Sequence, residues 1–154
     1  PLRVAVVGVG QTLRGDDAAG SLVAQRLSAL LPAGGPVLVL DGGPAPENLA
    51  GALRRHQPRL VLLVDAADLG LAPGAVRWLP WEATEGLPGS THTLPLHLLA
   101  RYLTLDLGCQ VALLGLQPAR LPLDAPLSPA MAQAVAAATA ALAEALSPLN
   151  ASGR

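Results

Sequence analysis

Hydrophobic and polar positions along the chain form blocks that are typical of strands and helices in turn. Short, mostly apolar runs predict buried strands at residues 2–8, 37–40, 59–64 (all apolar after an initial arginine) and 110–116. Between them, apolar residues at helical spacing predict helices at residues 17–31, 47–55, 95–105 and 128–146. The last helix has good start signals, with Ser128 as N-cap and Pro129 in its first turn. A weaker alternation at residues 75–79 predicts an edge strand, which we expect to be antiparallel.

The alternation of strands with helices predicts an α/β fold whose mainly parallel sheet is covered on both faces. Ligands bind such sheets at the carboxyl ends of the strands. Polar stretches follow three predicted strands directly, at residues 11–17, 41–43 and 65–68. We find no repeat and no linker, so the sequence predicts one domain over residues 1–146 and a disordered tail over residues 147–154.

Composition narrows the class of protein. Half of the 154 residues are hydrophobic (51%) but only 2% are aromatic, so the core must consist of Leu, Val and Ala. The formal net charge of -1 argues against a nucleic-acid partner, which would need a basic surface. The chain has no lysine, which excludes a Schiff-base lysine and the lysine of a phosphate-binding loop.

Cysteine use and the length of the apolar runs indicate a cytoplasmic protein. The single cysteine, Cys109, allows no intrachain disulfide and fits a reducing compartment. The N-terminal residues lack the basic region and cleavage site of a signal peptide. The apolar runs are too short to span a bilayer, and residues 130–146 are interrupted by Gln133 and Glu144, so no membrane partner is expected.

The loop after the first strand fits neither common nucleotide fingerprint. Leu13 stands where the dinucleotide pattern needs its third glycine, and Asp16 and Asp17 stand where a phosphate loop needs Lys and Ser or Thr. Two carboxylates at a helix start repel phosphate and attract a cation. The alternative is structural, with Asp16 capping the helix and Asp17 lying favourably in its first turn.

Two more residues can reach the same edge of the sheet. Asp65 directly follows an apolar strand, where a partly desolvated carboxylate needs a cation or hydrogen-bond donors, and loop amides would also serve. His92 precedes the predicted helix at 95–105 and could supply an imidazole, although a surface histidine is the simpler alternative. Asp68 is interpreted as a residue that shapes the loop.

Asp17, Asp65 and His92 together would give a metal three protein ligands and leave coordination positions open. Oxygen and nitrogen ligands without thiolate suit Ni, Zn, Co or Mn, and ligand chemistry alone does not choose among them. Nucleophilic catalysis is less well supported, because Cys109 begins a strand at the opposite edge and no Gly-x-Ser-x-Gly motif occurs.

From Val4 to about Leu146 the sequence resembles the [NiFe]-hydrogenase maturation endopeptidases, and among them those that process the large subunit of hydrogenase 3. The segments that carry the resemblance are Val7–Gly10 with Leu13 and Gly15–Gly20, Asp41–Asn48, Val64–Leu71 with Pro73-Gly74, Thr91-His92 with Leu94–Leu96, and Leu114–Pro118.

The resemblance implies an endopeptidase that removes a C-terminal extension from the hydrogenase large-subunit precursor after nickel insertion. It implies that Asp17, Asp65 and His92 are the catalytic and metal-binding residues, with Asp41 as a further catalytic candidate, for which shaping the substrate loop is the favoured role. The nickel is expected to arrive on the precursor, while Zn or Cd can occupy the site in vitro. The implied fold is a three-layer αβα sandwich with a twisted five-stranded sheet, similar to phosphorylase/hydrolase-like folds.

Two alternatives from other functional classes stay open. The chain departs from the family at Gln11, where Asn is usual, and at Pro44, where Thr is common. These departures leave room for a non-catalytic chaperone that binds the same nickel-loaded precursor without cutting it. A phosphate-ester or nucleotide enzyme is disfavoured by Asp16 and Asp17. Arg14 in the same loop could contact the precursor, or it could be an ordinary solvated arginine.

Overall fold

The structure, a computed structural model, describes residues 2–85, 95–120 and 124–152, with only the backbone of Ser152. Its five strands are β1 (Val4–Val9), β2 (Val37–Gly43), β3 (Leu60–Ala66), β4 (Val76–Pro80) and β5 (Gln110–Leu116). Its four α-helices are α1 (Ala19–Leu30), α2 (Ala50–His56), α3 (Leu96–Leu107) and α4 (Pro129–Ser152). Short 3-10 turns occur at Gly15–Ala18, Pro46–Leu49 and Trp81–Thr84.

The five strands form one sheet in the order β2-β1-β3-β5-β4. Strands β2, β1, β3 and β5 are parallel, and β4 pairs antiparallel with β5 at the edge. The predicted α/β class, the mainly parallel sheet and the antiparallel edge strand are therefore confirmed.

Two hydrophobic clusters cover the two faces of the sheet and produce three layers. Successive residues of β1 point to opposite faces, and all six are buried, as expected for a central parallel strand. One face packs against α1 and α4, through side chains that include Val23, Leu27, Met131, Val135 and Leu142. The other face packs against α2 and α3, through Leu53, Leu99, Ala100 and Leu103.

Helix α3 continues two residues beyond its predicted end. The helix ends at Leu107, and Gly108 adopts the left-handed conformation (φ 62°) with its N–H donating to the Thr104 carbonyl. Glycine accepts this conformation without steric cost, so it terminates the helix there.

The prediction that residues 147–154 form a disordered tail is wrong for residues 147–152, which continue α4. Asn150 is buried, and its side-chain oxygen accepts a 3.4 Å hydrogen bond from the Val37 N–H at the start of β2. The Ser147 hydroxyl donates to the Ala143 carbonyl. The Asn150 contact attaches this last part of α4 to the start of β2.

By length and composition α4 could span a membrane, contrary to the expectation that every apolar run is too short. One side of this helix nevertheless packs into the core against α1, through Met131, Val135 and Leu142. A core helix satisfies the same length and composition test, so this helix is weak evidence for a membrane location.

Gly20 allows α1 to pack directly against the sheet, close to the site described below. A Cβ at this position would overlap the carbonyl oxygens of Val9 and Val64, at the ends of β1 and β3. Only a residue without a side chain lets the helix approach both strands so closely.

We expect Gly20→Ala to lower the free energy of unfolding by ~3 kcal/mol, because the colliding atoms belong to the rigid backbone. The matched control is Gly51→Ala in α2, where the nearest atom to an added Cβ is the Arg55 guanidinium at 3.5 Å. That change should leave stability equal or raise it by up to ~1 kcal/mol through helix propensity. Urea denaturation measures both variants, and equal stabilities would show that α1 can move away from the sheet at no cost.

Candidate active site

The carboxyl ends of β1, β2, β3 and β5 lie along one edge of the sheet, since these strands are parallel. Asp17, Asp41 and Asp65 belong to segments at or directly after these strand ends. The predicted gathering of polar segments at this edge is confirmed for the strands and loops that the structure describes. We call this edge the carboxyl rim.

Asp17 is half-buried in the 3-10 turn that leads into α1. Its carbonyl oxygen accepts a 3.2 Å hydrogen bond from the Gln11 N–H, and its own N–H donates to the Arg14 carbonyl at 3.0 Å. The turn lies beside β3, with Cα atoms of the two elements within 8 Å. Gly20, less than one helical turn further on, rests against Val64, which directly precedes Asp65. Asp17 and Asp65 are thus brought to the same part of the carboxyl rim.

Asp65 is the penultimate residue of β3 and is only 4% exposed. It pairs with Gly115 of β5 in the sheet, so it occupies a central position in the carboxyl rim. Burial makes a carboxylate dependent on a nearby cation or on hydrogen-bond donors, because water no longer solvates its charge.

Asp41 is exposed, and its contacts are with neighbouring protein groups. One carboxylate oxygen accepts from the Gln25 side-chain amide of α1 at 2.9 Å, and the other accepts from the Gly43 N–H at 3.0 Å. Gly43 has φ 55°, the left-handed conformation that this tight loop requires. These bonds fit the loop-shaping role that the sequence favoured for Asp41.

His92 lies outside the described residues, so its position relative to the two carboxylates stays a prediction. Within residues 2–85, 95–120 and 124–152 we find no group of three or more His, Cys, Asp or Glu side chains arranged to hold a metal. The described part of the site is therefore Asp17 and Asp65.

His56 lies at the opposite edge of the sheet, where its ring Nε2 contacts the carbonyls of Val4 (3.2 Å) and Pro36 (3.1 Å).

Gln117 organises the loop that follows Asp65, a role that the local sequence pattern does not predict. Its side chain is 6% exposed, and its carbonyl oxygen accepts from the N–H groups of Leu69 (2.6 Å) and Leu71 (3.3 Å). Its amide nitrogen donates to an Asp68 carboxylate oxygen at 3.2 Å. A polar side chain directly after an apolar run could have revealed this role, and the same feature pointed to Asp65.

Asp68 shapes this loop as predicted, because its carboxylate also accepts a 3.2 Å hydrogen bond from the Gly70 N–H. The Gly70 N–H, and after it the Gln117 amide, lower the pKa of Asp68 by stabilising the charged form.

Asp16 does not cap the helix that follows it, so that interpretation is wrong. The 3-10 turn at Gly15–Ala18 has no side-chain cap hydrogen bond, and its N-cap position is Arg14. The Asp16 carboxylate instead contacts Ser128 and Ala119, far along the chain. Ser128 itself is the predicted N-cap of α4, since its hydroxyl oxygen accepts from the Met131 N–H at 3.2 Å.

Cys109 is not part of the site. It is buried just before β5, at the amino edge of the sheet, with its sulfur 3.6 Å from the Leu103 carbonyl oxygen. Burial raises the pKa of its thiol, which disfavours the thiolate that a nucleophile needs. The prediction of a small buried residue is confirmed.

Comparison with known proteins gives one consistent answer. The family model described as hydrogenase maturation protease (HycI) matches residues 22–145. The hydrogenase 3 maturation protease of Escherichia coli K12 is 44% identical over 111 residues, which cover 71% of this chain and 69% of that protein.

Solved structures agree with the sequence comparison. The crystal structure of the [NiFe] hydrogenase maturation protease HycI from Thermococcus kodakarensis superposes with a TM-score of 0.85 at 35% identity, covering 94% of this chain and 92% of that one. The solution structure of the endopeptidase HycI from E. coli gives 0.77 at 35% identity, covering 93% and 90%. The chain belongs to the hydrogenase maturation protease family, and it is an endopeptidase, a hydrolase that acts on a peptide bond.

Proposed function

We propose that this endopeptidase removes the C-terminal extension of a [NiFe]-hydrogenase large-subunit precursor only after nickel has been inserted. On this proposal Asp17, Asp65 and His92 bind the nickel that the precursor carries. The observation that carries it is the placement of Asp17 and Asp65 together at the carboxyl rim of a hydrogenase maturation protease.

The chemistry of the described donors fits such a metal. Two carboxylates provide oxygen ligands, and an imidazole from His92 would add nitrogen, a mixture that nickel accepts. Zinc and cadmium suit similar ligands and should occupy the site in vitro. Because half-buried Asp17 still meets solvent, we expect the free enzyme to bind metal weakly and the precursor's nickel to complete the site.

Recognition and hydrolysis have separate requirements. The nickel provides a checkpoint, since a precursor without it offers the carboxylates of Asp17 and Asp65 no cation. Hydrolysis needs a water molecule to add to the scissile carbonyl carbon, the C–N bond to break, and a proton to reach the leaving amine. A bound metal can act as Lewis acid in such a reaction.

The role supported for Asp41 is to shape the loop beside this site through Gln25 and Gly43. The single buried Cys109 suits the reducing cytoplasm, where we place this activity.

The experiment that tests the proposal is mass spectrometry of a purified nickel-loaded precursor before and after incubation with the enzyme. We expect a truncated large subunit and a released C-terminal peptide. Asp17→Asn and His92→Ala should each prevent the mass change while keeping the thermal transition of the wild type. Stable complex formation without any mass change would instead identify a nickel-dependent chaperone. Normal cutting by either variant would exclude that residue as a ligand.

A further inference from the structure

Asp16 is a buried carboxylate that the proposed chemistry does not use. It is 8% exposed, and both of its oxygens are engaged. One oxygen accepts from the Ser128 N–H at 2.7 Å, and the other accepts from the Ser128 hydroxyl at 2.7 Å and the Ala119 N–H at 2.9 Å. Three short bonds to one carboxylate are a strong and directional set of contacts.

These bonds join three segments that are distant in the sequence. Asp16 lies in the 3-10 turn that carries Asp17, Ala119 follows β5, and Ser128 caps α4. The partners are 103 and 112 residues away from Asp16 along the chain. The carboxylate thus ties the turn that bears Asp17 to the end of a central strand and to the start of the longest helix.

On its N-terminal side this turn borders a solvent-exposed loop. It has no side-chain cap hydrogen bond, and Thr12, Leu13 and Arg14 before it are exposed to solvent. Local backbone bonds also hold it, among them the 3.2 Å bond from the Gln11 N–H to the Asp17 carbonyl. Gly15 (φ 53°) lies close to the Ala125 carbonyl, which places the turn against the segment before α4 without bonding it there.

We propose that Asp16 is a positioning residue, which fixes Asp17 relative to Asp65 before the precursor arrives. This inference rests on the proposed function, in which Asp17 and Asp65 meet the same nickel. A ligand held in place by a buried neighbour loses less conformational freedom when the metal binds, which favours binding and the correct geometry.

Asp16→Asn is the informative substitution because it keeps the shape of the side chain. The amide has one acceptor oxygen, so in either orientation its NH2 group faces a backbone N–H, that of Ala119 or that of Ser128. Two donors then face each other where the wild type has a hydrogen bond of 2.9 or 2.7 Å. The turn therefore loses its backbone attachment either to the segment after β5 or to the start of α4.

Ser128→Ala is the matched control. It removes the N-cap of α4 and the hydroxyl bond to Asp16, but both backbone N–H donors to the carboxylate remain. We expect this variant to lower Tm while the turn keeps its position. It therefore separates loss of stability in α4 from loss of order in the turn.

Two measurements test the inference. The first is hydrogen exchange at the Gln11 amide, whose intrinsic rate is unaffected by a change at residue 16. We expect Asp16→Asn to speed this exchange by about tenfold or more, and Ser128→Ala to leave it near the wild-type value. The second is kcat/KM on nickel-loaded precursor, which should fall by about tenfold or more in Asp16→Asn and stay within about twofold in Ser128→Ala.

Each outcome decides the question. Unchanged Gln11 exchange in Asp16→Asn, or faster exchange with normal cleavage, would overturn the inference. Equal losses of cleavage in the two variants would also overturn it, as would an Asp16→Asn protein without a cooperative thermal transition, because Asp16 would then support the fold as a whole. A wild-type enzyme that cuts no precursor would refute the proposed function and with it the role in nickel recognition, whereas the exchange data would still show whether Asp16 holds the turn.

Discussion

Asp65→Asn should reduce cleavage of nickel-loaded precursor by ~100-fold or more while leaving the fold intact. The substitution preserves the size of the side chain but removes the negative charge that Asp65 would supply to the metal on the proposed function. Because Asp65 is 4% exposed within β3, water cannot take over its role easily. Initial rates from quenched time courses, with Tm measured in parallel, check this result.

The control for that experiment is Asp68→Asn, which removes a carboxylate three residues away in the same loop. Both hydrogen bonds of Asp68, from Gly70 and Gln117, go to the same oxygen, and the amide oxygen of asparagine can accept both. We expect cleavage within about twofold of wild type. Equal loss in the two variants would mean that overall negative charge in the loop matters, and normal cleavage by Asp65→Asn would remove Asp65 from the site.

Local patterns were sufficient for the strands and for the edge of the sheet at which the site forms. Strand β5 has the predicted bounds because its apolar run lies between Gly108, which ends a helix, and the polar Gln117. The charged residues after β1 and β3 identified the carboxyl rim, since parallel strands place their carboxyl ends together. The spacing of the apolar residues within each run and the residues that end the run carry this information. Both are properties of residues close together in the sequence.

Contacts between distant segments explain what the sequence could not predict. Ser147 and Pro148 look locally like the end of a helix, yet α4 continues to Ser152, and Asn150 in this last part accepts from Val37, 113 residues away. Asp16 has the sequence features of a helix cap, but its partners follow β5 and precede α4. Only the packed fold determines which donors a carboxylate meets.

The site itself was predicted in part. The approach of Asp17 to Asp65 follows from α1 resting on β1 and β3 at Gly20, a contact that the apolar spacing of α1 predicts only in outline. The loop geometry after Asp65 depends on Gln117, which belongs to another strand end. His92 was chosen from its place before α3, and its contact with the two carboxylates stays a prediction.

The dependence of cleavage on nickel is the second large effect that we expect. With both Asp17 and Asp65 at one part of the rim, a precursor that carries no cation must dock against two carboxylates that it cannot neutralise. On the proposed function, nickel on the precursor would gain oxygen ligands from the enzyme, so the docked state would be stabilised only when the metal is present.

The most direct test measures initial cleavage rates of one precursor preparation, half of it loaded with nickel and half kept nickel-free, at equal enzyme concentration. Limited digestion of both halves with trypsin first establishes that the C-terminal extension is equally accessible. We predict that the nickel-free precursor is cut at least ~100-fold more slowly, and that adding nickel to it through its insertion machinery restores the rate. Equal rates for the two halves would contradict the account.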